Sequence, residues 1–164
     1  MSELVKRHEK LAFYGIPSGS GDDITYTFHR MKGFDEITTS KNPKEYSRQY
    51  VDEEFEQTDV VGYTPTISFG FDEFSGNAVH SDIKSIFDEE KTGADAIRPI
   101  VMVDMRSETK KAIKRDFTVV ADSEGDGTDA YTYGGTFRAK GEKIAGTATS
   151  SDDWQTLTFT ADSE

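Results

Sequence analysis

The chain of 164 residues contains no cysteine, a single tryptophan and four prolines. Without thiols it has neither disulfides nor thiolate metal sites, so packing and backbone hydrogen bonds must hold the fold, and the sequence carries no mark of redox compartment. Long apolar runs are missing too. The N-terminus, MSELVKRHEK, lacks the apolar stretch of a signal peptide, and nothing approaches the ~20 apolar residues of a membrane span, so no membrane insertion is expected. Basic charge is scarce: 19 Lys and Arg stand against 31 Asp and Glu, a net charge of -12. Phosphate binding is driven by Lys and Arg releasing counterions from a nucleic acid, so this balance repels DNA rather than holding it.

What remains is an acidic chain whose length fits one domain, residues 1–164, expected in the cytosol. A domain of that size buries roughly two-thirds of its unfolded surface. Apolar residues make up 34% and aromatics 12%, which implies a thin core rich in Phe and Tyr, as when sheets each bury one face.

The apolar pattern is mostly of period two. Leu11 to Ile16 is a short apolar run closed by Pro17 and the turn Ser18 to Gly21. Ile24, Tyr26, Phe28 and Arg30 alternate with Thr25, Thr27 and His29, and Tyr63, Pro65, Ile67, Phe69 and Phe71 alternate with Thr64, Thr66, Ser68 and Gly70. Pro65, which lacks a ladder donor, belongs near a strand start or on an edge. The period changes once. Asn77 can cap a helix with Val79, Ile83, Ile86 and Phe87 on one stripe, Thr92-Gly93 as its stop, and Asp82, Asp88 and Glu89 in water. Ile97 to Met105 then reads as a central strand, apolar on both faces except at Arg98 and Asp104. Strands follow at Ile113–Ala121, Ala130–Lys140, Lys143–Thr149 and Trp154–Thr160, with Gly141-Glu142 and Ser150 to Asp153 as hairpin turns. About seven or eight strands and one helix predict a mainly β fold: a β-sandwich or half-open barrel with one flanking α-helix and a long protruding loop or hairpin.

The protruding element is Lys41 to Tyr63, KNPKEYSRQYVDEEFEQTDVVGY. Connections beyond about 12 to 15 residues are usually functional or disordered, and Tyr46, Tyr50 and Phe55 argue against disorder. Its charge is sorted. Lys41, Lys44 and Arg48 lie in the first half with only Glu45 against them, whereas Asp52, Glu53, Glu54, Glu56 and Asp59 fill the second. The halves could pair with each other or lie against another copy. Locally, Asn42-Pro43-Lys44-Glu45 resembles a capping box with proline at the first helical position, while Tyr46, Arg48 and Tyr50 alternate as in a strand. The segment reads as an extended arm of about 25 to 30 Å at ~3.3 Å per residue, with the option of a helical turn at its start.

No residue set supports catalysis or a cofactor. Asp122 to Asp129 offers Asp122, Glu124, Asp126 and Gly127 at calcium-loop spacing, but Tyr133 stands where the bidentate Glu belongs and no helices flank the loop. The plain alternative is an acidic hairpin loop. His8, His29 and His80 share no ligand spacing, Ser18 to Gly21 lacks the lysine of a phosphate-binding loop, and 31 acidic residues make any one carboxylate pair uninformative. A hydrolase with a carboxylate pair is therefore disfavoured. Lys110, Lys111, Lys114 and Arg115 form a basic cluster: either a solvated turn or a contact for the acidic half of the long segment on a neighbour. With no aromatic residue interleaved, it does not read as a nucleic-acid site. A monomeric binding module for carbohydrate or a receptor would need an exposed aromatic platform, for which Tyr131, Tyr133 and Trp154 are candidates; alternation favours the core for them.

The segment KNPKEYSRQYVDEEFEQTDVVGYTPTISFGF, with RDFTVVADSEGDGTDAYTYGGTFRAKGEK and the closing TATSSDDWQTLTFT, resembles the tail tube (major tail) proteins of phages and phage-like particles of Gram-positive bacteria. The resemblance implies a β-sandwich or barrel with a flanking helix, assembled as homo-hexameric rings whose sheets join into one β-lined cylinder. It implies stacked rings forming a tube, with a sheath or terminator and a baseplate as further partners. Double-stranded DNA would pass through without specific binding. The protein would be assembled in the host cytoplasm and reside in the virion tail, with no enzymatic activity and no cofactor. In that family a long loop or hairpin after the early strands reaches neighbouring subunits, a role that maps here onto Asn42 to Val61. The expected interface residues are Tyr46, Arg48, Tyr50, Asp52, Glu53, Glu54, Phe55 and Glu56 on the arm, and Lys110, Lys111 and Lys114 opposite.

Overall fold

In the computed structural model, which describes residues 2–19, 21–125 and 128–162, strands dominate. The first six are β1 (Lys10–Ser18), β2 (Thr25–Arg30), β3 (Phe34–Ser40), β4 (Pro43–Arg48), β5 (Gln57–Tyr63) and β6 (Thr66–Asp72). Helix α1 (Ala78–Glu89) follows, then β7 (Ile97–Asp104), β8 (Lys111–Gly125), β9 (Thr132–Ala139), β10 (Ile144–Thr149) and β11 (Thr156–Ala161). No helix among the described residues is long and apolar enough to cross a membrane.

Nine strands form one sheet in the order β10-β11-β2-β1-β7-β8-β9-β6-β3, and β10 also pairs with β8. That extra pairing closes β1, β2, β11, β10, β8 and β7 into a ring of six. Each of the six sends a side chain inside: Phe13, Phe28, Leu157, Ala148, Ala112, and Val101 with Val103. β9, β6 and β3 branch from β8 as an open second half, whose inner face packs under α1. Here Tyr14, Phe69, Phe71, Phe117, Tyr133 and Phe137 meet Val79, Ile83, Ile86 and Phe87 of the helix. The mainly β, half-open barrel with a flanking helix is thus observed, and one half goes further and closes.

The 15-residue β8 makes both halves possible. One of its edges pairs first with β10, through Lys111–Lys114, and then with β9, through Phe117–Gly125. Gly141-Glu142 is therefore not a hairpin turn: β9 and β10 do not pair with each other but succeed one another along β8. Ser150 to Asp153 does join paired strands, β10 and β11. At Gly135 the backbone of β9 presses on its neighbours, since a Cβ there would sit 2.4 Å from the Val120 carbonyl and 3.0 Å from the Phe69 ring.

The helix forms where its apolar spacing places it. Asn77 caps it, its side-chain oxygen accepting from the Val79 and His80 N–H groups. It stops at Glu90, which takes the left-handed conformation (φ 50°) ahead of Thr92-Gly93. Asp82 is not in water, as helical spacing alone would place it. It is nearly covered, 2.9 Å from Arg98 Nε of β7, and accepts from the Tyr14 hydroxyl of β1 at 2.5 Å. This carboxylate explains how β7 tolerates Arg98 among apolar neighbours: a buried guanidinium is stable when paired and hydrogen-bonded. Arg98 Nη1 donates to the Asp95 and Ile97 carbonyls.

Candidate interaction surface

Lys41 to Tyr63 builds a separate two-stranded sheet, β4 against β5, in register from Pro43↔Tyr63 to Arg48↔Gln57 with a shift between Lys44 and Glu45. The extended arm is observed and the helical turn is not. Asn42 does not cap a helix; it turns the chain with φ 48°, and its Nδ2 donates to the Thr64 carbonyl and Thr66 Oγ1, both at 3.1 Å. This clamp at the root leaves Pro43 free to start a strand.

Within the hairpin the sorted charges meet once. Arg48 Nη1 bonds Asp59 Oδ2 at 2.6 Å across the ladder, and its Nε donates to the Tyr50 hydroxyl at 3.0 Å. The guanidinium also lies over the Tyr46 and Tyr50 rings, at 5.3 and 5.9 Å from their centroids. The hydrogen bond that Arg48 donates to Asp59 is the main cause that holds the Arg48 pKa above its usual value. Ser47 and Thr58 hydroxyls pair opposite at 3.0 Å. At the tip Gln49 Nε2 donates to the Glu53 and Glu54 carbonyls, at 3.1 and 3.0 Å, and Gln57 Nε2 to the Glu53 carboxylate at 2.6 Å. The tip is thus ordered by amides. Asp52, Glu53, Glu54 and Glu56 have no basic partner among the described residues.

The apolar side chains of the hairpin are outside. Tyr46, Tyr50, Val60, Val61 and Tyr63 are about half exposed or more, Phe55 is 75% exposed, and Val51 is fully exposed. An isolated two-stranded ribbon is marginal in water, and this one adds uncovered aromatic and β-branched surface.

The basic cluster does not stay together, because strand period divides it. Lys110 Nζ donates to the Met105 and Ser107 carbonyls, at 2.9 and 3.3 Å, tying the β7–β8 turn. Lys114 shares the barrel-facing side of β8 with Ala112 and lies over the Phe28 and Phe159 rings, at 5.7 and 6.0 Å. Lys111 and Arg115, on the other face, line a groove with the N-terminal segment and β3. The period-two pattern of Lys111, Ile113, Arg115 and Phe117 held this signal in the sequence, masked by the run of basic letters.

Other candidates disperse. Tyr133 is buried in the core beneath α1 with the exposed Tyr131 ring 5.3 Å from it, whereas Trp154 packs on Phe13 in the barrel at 6.3 Å, so the three form no single platform. In the acidic loop, Asp122 to Gly125 continue β8 and the Thr132 hydroxyl closes on the Gly125 carbonyl at 2.9 Å, as in a hairpin; Asp126 and Gly127 lie outside the described residues. Ser20 of the early turn also lies outside them. Among the described residues no three His, Asp or Glu side chains gather as a metal site.

No family model and no curated protein matches the sequence. Among solved structures, one chain of a six-fold symmetrised cryo-EM structure of the anti-feeding prophage (AFP) baseplate is similar in fold, with a TM-score of 0.53 over 88% of this chain and 97% of that one. The two are 8% identical, so the likeness is one of fold.

Proposed function

We propose that the chain is a structural subunit of a phage-tail-like particle, self-assembling into six-membered rings that stack into a tube or cap its baseplate end. The observation that carries this reading is the β4–β5 hairpin, an ordered ribbon whose apolar and acidic residues are almost all exposed. A monomer gains little by ordering such an element, whereas a subunit that inserts it between neighbours covers it. The fold likeness to a chain from a six-fold symmetrised particle supports the same reading. So does the sequence resemblance to tail tube proteins.

In this reading the chain acts without catalysis or cofactor. Edge strand β3 and the hairpin are the surfaces that neighbours close, since an uncovered edge is an aggregation hazard and a head-to-tail interface closes into a ring when its rotation permits. Tyr46, Tyr50 and Phe55 supply the anchoring and the flanking charges set the register. The net charge of -12 suits a channel through which DNA slides without being retained. Negative-stain electron microscopy of the purified protein tests the proposal. Rings or tubes are expected; a species that stays monomeric in sedimentation velocity at high concentration would sink it.

A further inference from the structure

A groove of about 830 Å³ opens between the N-terminal segment, the end of β3 and the outer face of β7 and β8. It continues the core that α1 covers at its other end, so its floor is apolar: Ile67, Ile100 and Phe117 lie at the bottom, with Ile37, Met102 and Ile113 along the sides. Its rim is basic. In a chain of net charge -12, Lys6, Lys10, Lys41, Lys111, Arg115 and Lys143 all line this one groove, against a single acid, Asp104. Among the described residues none of these six has a carboxylate within ion-pair distance. Arg7 also lines it but is engaged with the Lys10 and Ile37 carbonyls.

An apolar floor under a cationic rim fits an acidic peptide carrying an apolar side chain better than it fits a nucleic-acid backbone, whose phosphates would leave the floor uncovered. The hairpin tip has that chemistry. Val51 and Phe55 are exposed, and Asp52, Glu53, Glu54 and Glu56 surround them without basic partners. The tip cannot occupy the groove of its own subunit while the ladder holds: six paired residues per strand carry it roughly 20 Å from Lys41 at the rim, and Phe55 is exposed.

We infer that this groove is the receptor for the hairpin tip of a second copy of the chain, Phe55 entering over the apolar floor while the tip carboxylates meet the basic rim. The inference rests on the reading of the chain as a self-assembling subunit and names which two surfaces meet. Pockets that hold ligands are commonly about 300–1,000 Å³, so the groove has room for the ring and its flanking backbone. The Gln49 bonds that pre-shape the tip reduce the ordering cost of docking.

Because the chain has no cysteine, thiols report the contact directly. Full-length Phe55→Cys is mixed with full-length Ile113→Cys, oxidised mildly, and compared with Phe55→Cys mixed with Lys84→Cys on the exposed face of α1. The groove pair is expected to give about tenfold more linked heterodimer than the control pair. Lys111→Glu with Arg115→Glu in the groove partner should reduce that yield by a similar factor, about tenfold. Glu53→Lys with Glu54→Lys in the tip partner should then restore it, which no misfolded groove would allow. Equal yields from groove and control pairs, or a yield indifferent to charge reversal, would overturn the inference. So would a double-stranded oligonucleotide that binds at physiological salt and abolishes the link. The readout does not require rings: linkage without rings or tubes keeps the docking and removes the tube, whereas tubes without linkage keep the tube and remove the docking.

Discussion

Asp82 on α1 and Arg98 on β7 form a nearly buried ion pair, 2.9 Å long, with Tyr14 of β1 donating to the same carboxylate oxygen. Three elements thus share one charged junction under the helix.

Removing one partner leaves the other charge uncompensated. Asp82→Ala should cost about 3–5 kcal/mol, while Tyr14→Phe, which leaves the ion pair in place, should cost about 1.5–3 kcal/mol. Urea unfolding followed by circular dichroism measures both. A smaller loss for Asp82→Ala than for Tyr14→Phe would contradict the arrangement.

The same tyrosine sets alkaline behaviour. Burial first, then the Asp82 charge and hydrogen bond, raise the Tyr14 pKa well above 10, and burial pushes Tyr133 up to about 12. Above pH 10 the unfolded chain has released protons that the folded chain keeps, so stability falls as pH rises from there. Unfolding midpoints measured from pH 9 upward, wild type against Tyr14→Phe, should show a shallower decline in the variant (about one proton less in the slope).

At the acid end His80 acts in the opposite direction. Its ring is buried against Phe71, Nδ1 accepts from the Phe74 N–H at 3.2 Å, and Nε2 is buried with no hydrogen-bond partner among the described residues. Burial lowers its pKa below 6.5, opposed by the Lys32 carbonyl and by Glu73 and Asp72. The unfolded chain takes up the proton first, so this contribution is present above pH 6.5 and is lost as pH falls towards the depressed folded value. Titrating the His80 ring by NMR should show a midpoint below 6.5. A midpoint at or above 6.5 would refute it.

Gly135 is expected to be intolerant of alanine. The added Cβ meets the Val120 carbonyl at 2.4 Å and the Phe69 ring at 3.0 Å, which forces β8, β9 and β6 apart. Gly135→Ala should destabilise by about 1–3 kcal/mol, measured by denaturant titration. Gly141→Ala, whose Cβ meets nothing within 4 Å, is the control.

Deleting Asp52 to Thr58 should leave a folded subunit that assembles poorly. The tip belongs to the separate sheet and contributes nothing to either core, so the thermal midpoint should stay near the wild-type value. Electron microscopy then reads assembly, and full-length tubes from the deleted chain would remove the hairpin from its proposed role.

Much of the fold was legible where local pattern and burial agree. The stripe Val79, Ile83, Ile86, Phe87 and the cap Asn77 located α1, and the alternation through Ile67, Phe69 and Phe71 located β6. β3 was not visible, because it pairs only at the end of the sheet and places just Phe34 and Ile37 against the core, among Asp, Glu, Thr and Ser. The place of Asp82 depended on Arg98, which arrives from another element 16 residues later. Barrel closure rests on β8 meeting β10, a pairing no local window contains. At the candidate surface the arm and its charges were readable. The groove was not, since its seven basic residues come from Lys6 to Lys143 and meet only in three dimensions.

The long β8, with β7 beside it and β1 beyond β7, is a party wall between two rooms. Val101 and Val103 face the barrel while Ile100 faces the helix side, and Phe13 and Tyr14 divide in the same way. Neither room can be vacated without stripping a wall from the other. The chain should therefore melt as one calorimetric unit, and strain applied at the barrel end is felt beneath the helix. A chain built this way offers no half that can be loosened separately, so under the proposed function the flexibility of an assembly would come from between its copies.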